Sequence, residues 1–140
     1  MRDGYHQIPM KFDDRVKTLF TCRYGTFQFT VMPFGLSTAP ATFQRMMNTI
    51  FFEMLDLGVL VYLDDVLIYS KTVEEHILLL DQVFALLQKH KLYLKEKKCS
   101  LFLETINFLG HVISKHGVSM ESGKVSVVES WPVPETVTHV

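Results

Sequence analysis

VYLDDVLIY, residues 61–69, sets two adjacent carboxylates, Asp64 and Asp65, inside a run in which every other residue is aliphatic or aromatic. Successive side chains of a strand point to opposite faces, so two neighbouring aspartates in mid-strand would turn at least one charge toward the core. A corner removes that conflict. The segment therefore reads as a hairpin of 59–63 and 66–70, turning at Leu63-Asp64 or Asp64-Asp65. Two-residue corners ordinarily demand positive φ and select Gly or Asn, and neither is present. A local rule broken at one place marks a candidate functional site. Carboxylates this close repel each other, and a divalent cation relieves the repulsion. Oxygen donors with no His or Cys nearby in sequence suit Mg²⁺ or Mn²⁺ better than Zn²⁺. The plainer reading is a solvated acidic turn that keeps the hairpin tip soluble.

On the N-terminal side, residues 17–32, KTLFTCRYGTFQFTVM, read as two β runs around Arg23-Tyr24-Gly25, with Phe27, Phe29 and Val31 alternating against Gln28 and Thr30. MPFGLSTAP, 32–40, carries two prolines and a glycine and must be a loop. Ser37 or Thr38 can cap a helix over 40–55, with Pro40 in its first turn and Phe43, Met46, Met47, Ile50, Phe51 and Met54 at helical spacing. After the acidic hairpin, Thr72-x-x-Glu75 has the form of a capping box. It opens a helix to about residue 90 with an apolar stripe of Val73, Ile77, Leu80, Phe84 and Leu87. Short β runs follow at 99–103 and 106–113, with a return strand after Gly117. Ser122 can cap a last helix that ends before Pro132, and WPVPETVTHV, 131–140, has the composition of a linker. Helices thus alternate with antiparallel hairpins, which predicts an α+β fold with helices packed on one face of an antiparallel sheet.

At 140 residues and 48% hydrophobic content, the chain has material for one domain, or a piece of one. Its formal net charge of −1 gives no global sign of a nucleic-acid binder, so such a partner must be argued locally. Lys89, His90, Lys91, Lys95, Lys97 and Lys98 are the densest positive cluster. They read either as a phosphate-contacting patch or as a solvated helix end favoured by the helix dipole. Cys22 and Cys99 lack metal-site spacing and are expected to be buried thiols in a reducing compartment. No run is long enough to span a membrane and the N-terminus lacks a signal-peptide core, so an intracellular, non-secreted protein is expected.

Tyr-Leu-Asp-Asp between two apolar runs resembles the Tyr/Phe-x-Asp-Asp motif of reverse transcriptases. RDGYHQIPM (2–10), RYGTFQFTVMPFGLSTAPATFQRMMN (23–48) and INFLGHVIS (106–114) resemble, in the same order, the polymerase of gypsy-like LTR retrotransposons. The resemblance implies a palm with part of the fingers over 1–112, including a fingers-type hairpin at 17–32, and the start of a thumb with a linker over 113–140. It implies RNA-directed DNA polymerase activity, a two-metal nucleotidyl transfer of dNTP to a primer 3′ end. Asp64 and Asp65 would be catalytic and would hold Mg²⁺ or Mn²⁺. Arg2, Asp3, Gly4, Tyr5, Phe34 and Gly35 would bind the nucleotide, with the Tyr5 ring excluding a 2′-hydroxyl. Gypsy-like elements carry Phe at position 34, where retroviral relatives commonly carry Gln. Leu109, Gly110 and His111 would grip the primer, although His111 taken alone reads as an ordinary surface histidine. Lys97 or Lys98 is a candidate for the acid that protonates the leaving pyrophosphate.

The same resemblance places a third catalytic aspartate two residues before Arg2, immediately ahead of Met1, and leaves Asp3 outside the metal site. Fingers, thumb and RNase H portions of a Pol polyprotein would be partners, with the template, primer and dNTP. In this reading the fold is truncated at both ends, and the 140-residue chain binds Mg²⁺ weakly and polymerises poorly. A catalytically inactive or co-opted remnant that binds nucleic acid or a protein partner is the alternative, and a small metal-binding turn protein is a third. In the first reading the protein works in the cytoplasm or in a retrotransposon particle.

Overall fold

The acidic hairpin forms, and one of its faces organises what lies before and after it. The computed structural model describes residues 1–131. In chain order it contains α1 (Phe12–Arg15), β1 (Phe20–Cys22), β2 (Gly25–Phe27), α2 (Ala39–Ile50), β3 (Val59–Tyr62), β4 (Asp65–Ile68), α3 (Val73–Lys89), β5 (Thr105–Phe108), β6 (His111–Ser114), β7 (Gly117–Met120) and α4 (Ser122–Glu129), with a 3₁₀ turn at Gly4–Gln7. Met1–Cys99 form one compact unit, and the chain from Ser100 onward forms another. Among the described residues the strands make three separate antiparallel sheets, β1-β2, β3-β4 and β5-β6-β7.

In the first unit, β3 and β4 pair Val59 with Ile68, Val61 with Val66, and Tyr62 with Asp65. Directly opposed residues share a face, so Val59, Val61, Val66 and Ile68 form one apolar face, while Leu60, Tyr62, Asp65 and Leu67 lie on the other. The apolar face meets Phe43, Met47 and Phe51 of α2 and its continuation, and Val83 and Leu87 of α3. Helices therefore cover one face of this hairpin, as the sequence pattern requires. Phe43, Met47, Phe51 and Val59 are wholly buried, and burying each such side chain contributes about 1.5–3 kcal/mol.

Thr72 caps α3 by accepting from the Glu75 N–H at 3.2 Å, and the Glu75 carboxylate accepts from the Lys71 N–H at 3.2 Å, close to the reciprocal arrangement its spacing predicts. Thr38 occupies the cap position of α2 without a side-chain cap bond. Its φ of −90° and ψ of −8° are already helical, whereas a capping side chain needs extended backbone to reach forward.

Other expectations are corrected. The 17–32 hairpin keeps only three residues per strand, Phe20–Cys22 and Gly25–Phe27. Its return limb leaves the pairing because the Phe29 N–H goes to Thr18 Oγ1 at 2.9 Å, and Thr30 and Met32 bond residues 8–10 instead. On α3 the core face is formed by Leu80, Val83 and Leu87 with Leu79 and Leu86, while Val73, Ile77 and Phe84 are exposed. Leu80 and Leu87 of the expected stripe are buried, and the face is turned away from Val73, Ile77 and Phe84 because three successive leucines, Leu78 to Leu80, leave the phase open. Cys22 and Cys99 are exposed free thiols, not buried ones. Cys22 ends a two-stranded ribbon with no covered face, and Cys99 follows a short lysine-bearing turn.

The 99–103 run is not a strand. The 106–113 run is two strands, broken at Leu109-Gly110, whose φ values of 52° and 77° make the type I′ pattern of a tight hairpin. The return strand after Gly117 is β7, and α4 ends at Glu129, before Pro132. Of the linker-like tail, 132–140 lie outside the described residues.

Phe43→Ala should cost about 3–5 kcal/mol, since its ring fills the joint between α2 and the Gly4 turn and little can collapse into the space. Thr72→Ala should cost only about 1 kcal/mol. Urea unfolding of both variants beside the parent chain measures this ranking.

Candidate active site at the carboxylate hairpin

The corner of the β3-β4 hairpin is Leu63-Asp64. Leu63 sits at φ 51°, in the left-handed region where an aliphatic side chain is strained by about 1–3 kcal/mol. Asp64 occupies the second corner position, and Asp65 is the first residue of β4, on the face opposite the main core. Both aspartates are exposed, and neither has an ion-pair partner among the described residues. The charge conflict posed by VYLDDVLIY is thus resolved twice: Asp64 by leaving the strand, and Asp65 by strand parity.

The strained corner is held from outside. Gln44 of α2 accepts from the Leu63 N–H at 2.6 Å and donates to the Val61 carbonyl at 3.1 Å. The same amide nitrogen lies 2.7 Å from Asn48 Oδ1, one helical turn on. Sequence reasoning missed Gln44. Its signal was a long polar side chain directly after Phe43, at the edge of the apolar stripe.

The 2–7 stretch lies beside this corner. The Met1 amino nitrogen is 3.3 Å from the Asp64 carbonyl oxygen. Asp3 adopts a left-handed conformation, φ 45°, and starts the 3₁₀ turn that carries Tyr5. Gly4 is buried, and a Cβ there would meet the Phe43 ring at 3.1 Å. The Tyr5 ring packs edge-on to Phe43 at 5.4 Å and tilted against Phe34 at 5.1 Å. The His6 ring stands edge-on to Phe34 at 5.0 Å. Tyr5 and Phe34, assigned to one ligand from separate segments, therefore touch. Gly35, at φ 91°, has open space where a Cβ would be.

A second glutamine was also missed. Gln7 receives the Tyr93 N–H at 2.6 Å and donates to the Tyr93 carbonyl at 3.1 Å and to the Arg2 carbonyl. The Arg2 N–H itself donates to the Tyr93 carbonyl at 3.0 Å. The turn bearing Tyr5 is thereby tied to the segment that follows α3.

Lys97 and Lys98 lie in a 3₁₀ turn, Glu96–Lys98, and are exposed, as are Lys89, Lys91 and Lys95. None of the five has a carboxylate within ion-pair distance among the described residues. Elsewhere on the unit, Lys17 does pair with Asp14 at 2.6 Å, and its hydrogen bond holds the Asp14 carboxyl below its ordinary range. Leu109, Gly110 and His111 belong to the second unit, where they form the β5-β6 turn and the first residue of β6.

Asp64 and Asp65 bring hard oxygen donors to one exposed corner, and no third His, Cys, Asp or Glu joins them in a metal-binding group among the described residues. Such a donor set fits a hard divalent cation that takes its remaining ligands from water and phosphate oxygens. It does not fit a closed structural zinc site. No helix among the described residues is long and apolar enough to cross a membrane.

Comparison with known proteins agrees in sequence and in fold. The family model described as reverse transcriptase (RNA-dependent DNA polymerase) matches residues 1–113. The chain is 40% identical over 131 residues to the retrovirus-related Pol polyprotein from transposon 297 of Drosophila melanogaster, covering 94% of this chain and 12% of that polyprotein. It is 33% identical over 140 residues to the corresponding polyprotein from transposon gypsy of the same organism, covering 100% of this chain and 14% of the relative. Among solved structures, a foamy viral protease-reverse transcriptase in complex with RNA/DNA hybrid superposes with a TM-score of 0.80 at 26% identity. That match covers 98% of this chain and 18% of the viral one.

Proposed function

The chain belongs to the reverse transcriptase family, and from that premise we propose that it is the palm, with part of the fingers, of an RNA-directed DNA polymerase within a retrotransposon Pol polyprotein. The observation that carries the proposal is the convergence at one place of the Asp64-Asp65 corner and the Tyr5 turn, joined through consecutive residues of α2. The substrates would be a dNTP and a primer paired to an RNA or DNA template, as suits a relative whose structure holds an RNA/DNA hybrid.

Asp64 and Asp65 would hold Mg²⁺ or Mn²⁺. Such an ion, when bound, supplies charge neutralisation for the phosphates and for the attacking and leaving oxygens. The protein's own work is positional. The Tyr5 ring, braced between Phe43 and Phe34, would present a flat floor to the sugar and exclude a 2′-hydroxyl. Phe34 and Gly35 would lie against the base, with backbone freedom at Gly35 admitting a close approach. Asp3 and Gly4 would contribute backbone to the triphosphate side, and Arg2 its side chain, since its N–H is spent on Tyr93. Lys97 or Lys98 would donate a proton to the departing pyrophosphate. The Leu109-Gly110-His111 turn would lie along the primer 3′ end, and residues 113–140 would begin the thumb.

A third aspartate joined to the Met1 nitrogen would stand beside the Asp64 carbonyl, and this is where the family resemblance puts it. In Mn²⁺ titrations followed by water-proton relaxation, the 140-residue chain should bind on the order of millimolar. Adding that aspartate should tighten binding by about ten-fold or more. Asp64→Asn and Asp65→Asn should each abolish binding while moving folding stability by less than about 0.5 kcal/mol, because both are exposed. Equal Mn²⁺ affinity in the parent and in Asp64→Asn would reject the assignment.

In a Pol polyprotein that carries this segment, Tyr5→Val should leave dNTP incorporation within about ten-fold and raise rNTP incorporation by about a hundred-fold or more, read by primer extension with each nucleotide alone. An unchanged dNTP to rNTP ratio would remove Tyr5 from sugar discrimination.

A further inference from the structure

We infer that Gln44 is the positioning residue for the carboxylate corner, fixing Asp64 and Asp65 through the backbone on which they stand. The inference rests on the reading of that corner as a divalent-cation site. Three observations carry it.

The corner lacks the residues that would hold it unaided. Leu63 takes φ 51° with no glycine or asparagine to make that conformation cheap, so something outside the hairpin must over-determine it. The Gln44 amide does so with both of its ends. Its oxygen takes the Leu63 N–H at 2.6 Å and its nitrogen gives to the Val61 carbonyl at 3.1 Å. It thus pairs with the edge of the strand as a neighbouring strand would, at the last residues before Asp64. One orientation of the amide satisfies a donor and an acceptor together, and the flipped one satisfies neither.

Gln44 is itself immobilised. The wholly buried Phe43 precedes it, so α2 cannot slide or turn to follow a shifting hairpin. Asn48 Oδ1, 2.7 Å from Gln44 Nε2, holds the amide from the helix side. The Gln44 side chain therefore ties the strained corner to α2, in addition to the packing of Val61 and Val66 on the main core.

The bonds end on backbone atoms of Leu63 and Val61, one and three residues before Asp64, and not on the carboxylates themselves. Gln44 therefore leaves the oxygens of Asp64 and Asp65 open to a cation and to water while fixing the chain that bears them. Without it, Leu63 can relax toward an ordinary conformation, and both side chains move because the corner is the hinge between their directions. The expected signature is a loss of cation affinity larger than the loss of global stability.

Gln44→Met keeps the length and shape of the side chain and removes both bonds, while Gln44→Glu keeps an acceptor for the Leu63 N–H and loses the donor to Val61. Amide hydrogen exchange followed by NMR on the full chain should show Leu63 exchanging about ten-fold faster or more in Gln44→Met and near the parent rate in Gln44→Glu. Val59 and Leu67 should keep their protection in both, which certifies that the variants are folded. Mn²⁺ affinity by water-proton relaxation should fall about ten-fold in Gln44→Met. Faster Leu63 exchange with parental Mn²⁺ affinity would overturn the inference, because Gln44 would then be a structural clamp alone. Unchanged Leu63 exchange in Gln44→Met would overturn it as well. If the parent chain binds no Mn²⁺ while Leu63 is well protected, the cation reading of the corner has failed, and the positioning role with it.

Discussion

The Phe43 ring lying against Gly4 is the contact on which the candidate site depends. It leaves room for a hydrogen and little more at position 4, so the turn bearing Tyr5 is seated directly on the helix. The next residue, Gln44, reaches the other way, to the backbone of the acidic hairpin. Two consecutive side chains of one helix thus address two different segments, because neighbouring residues on a helix point about 100° apart. A helix whose apolar face is sunk in the core, with Phe43 and Met47 wholly buried, is a stiff reference for both. The separation between the Tyr5 turn and the carboxylate corner is then referred to the spacing of Phe43 and Gln44 along α2.

What could be read in the sequence was what a local pattern determines alone. The β3-β4 hairpin is legible because apolar runs flank an acidic pair that has no place in mid-strand. The cap of α3 is legible because Thr72 and Glu75 satisfy each other's neighbourhood without help from elsewhere. The phase of the apolar stripe on α3 was not legible, since Leu78, Leu79 and Leu80 together tolerate more than one face and only the position of the hairpin chooses. The length of the 17–32 hairpin failed for a related reason. Thr30 and Met32 have a better partner in residues 8–10 than in 17–19, and a non-local competition of this kind leaves no local trace.

Of the site, the residues that bear charge or an aromatic face were legible and those that hold them were not. Asp64, Asp65, Tyr5 and Phe34 belong to a pattern that is unusual for a buried or loop segment. Gln44 and Gln7 belong to none, because glutamine is at home on any helix or loop surface, and its use as a backbone partner emerges only when a second segment arrives. Both glutamines act alike, each pairing with an N–H and a carbonyl of a distant strand or loop. A glutamine amide carries the same donor and acceptor as a peptide group, so it can finish a strand edge where the chain itself has turned away.

The placement of the two charges follows from cost. Two carboxylates in a low-dielectric interior would interact several-fold more strongly than at a wet surface, and repulsion of that size would compete with the whole stability of the domain. At an exposed corner water screens them, so the protein tolerates the pair without any bound cation. Screening vanishes only when a ligand covers the corner and expels that water, and at that moment the same two charges attract a divalent ion most strongly. A pair left open to water therefore keeps the electrostatic cost low during folding, and the proposed divalent ion would draw on the same two charges. Among the described residues no ion pair tethers the two carboxylates, and the Gln44 bonds to Leu63 and Val61 help to hold the backbone that bears them.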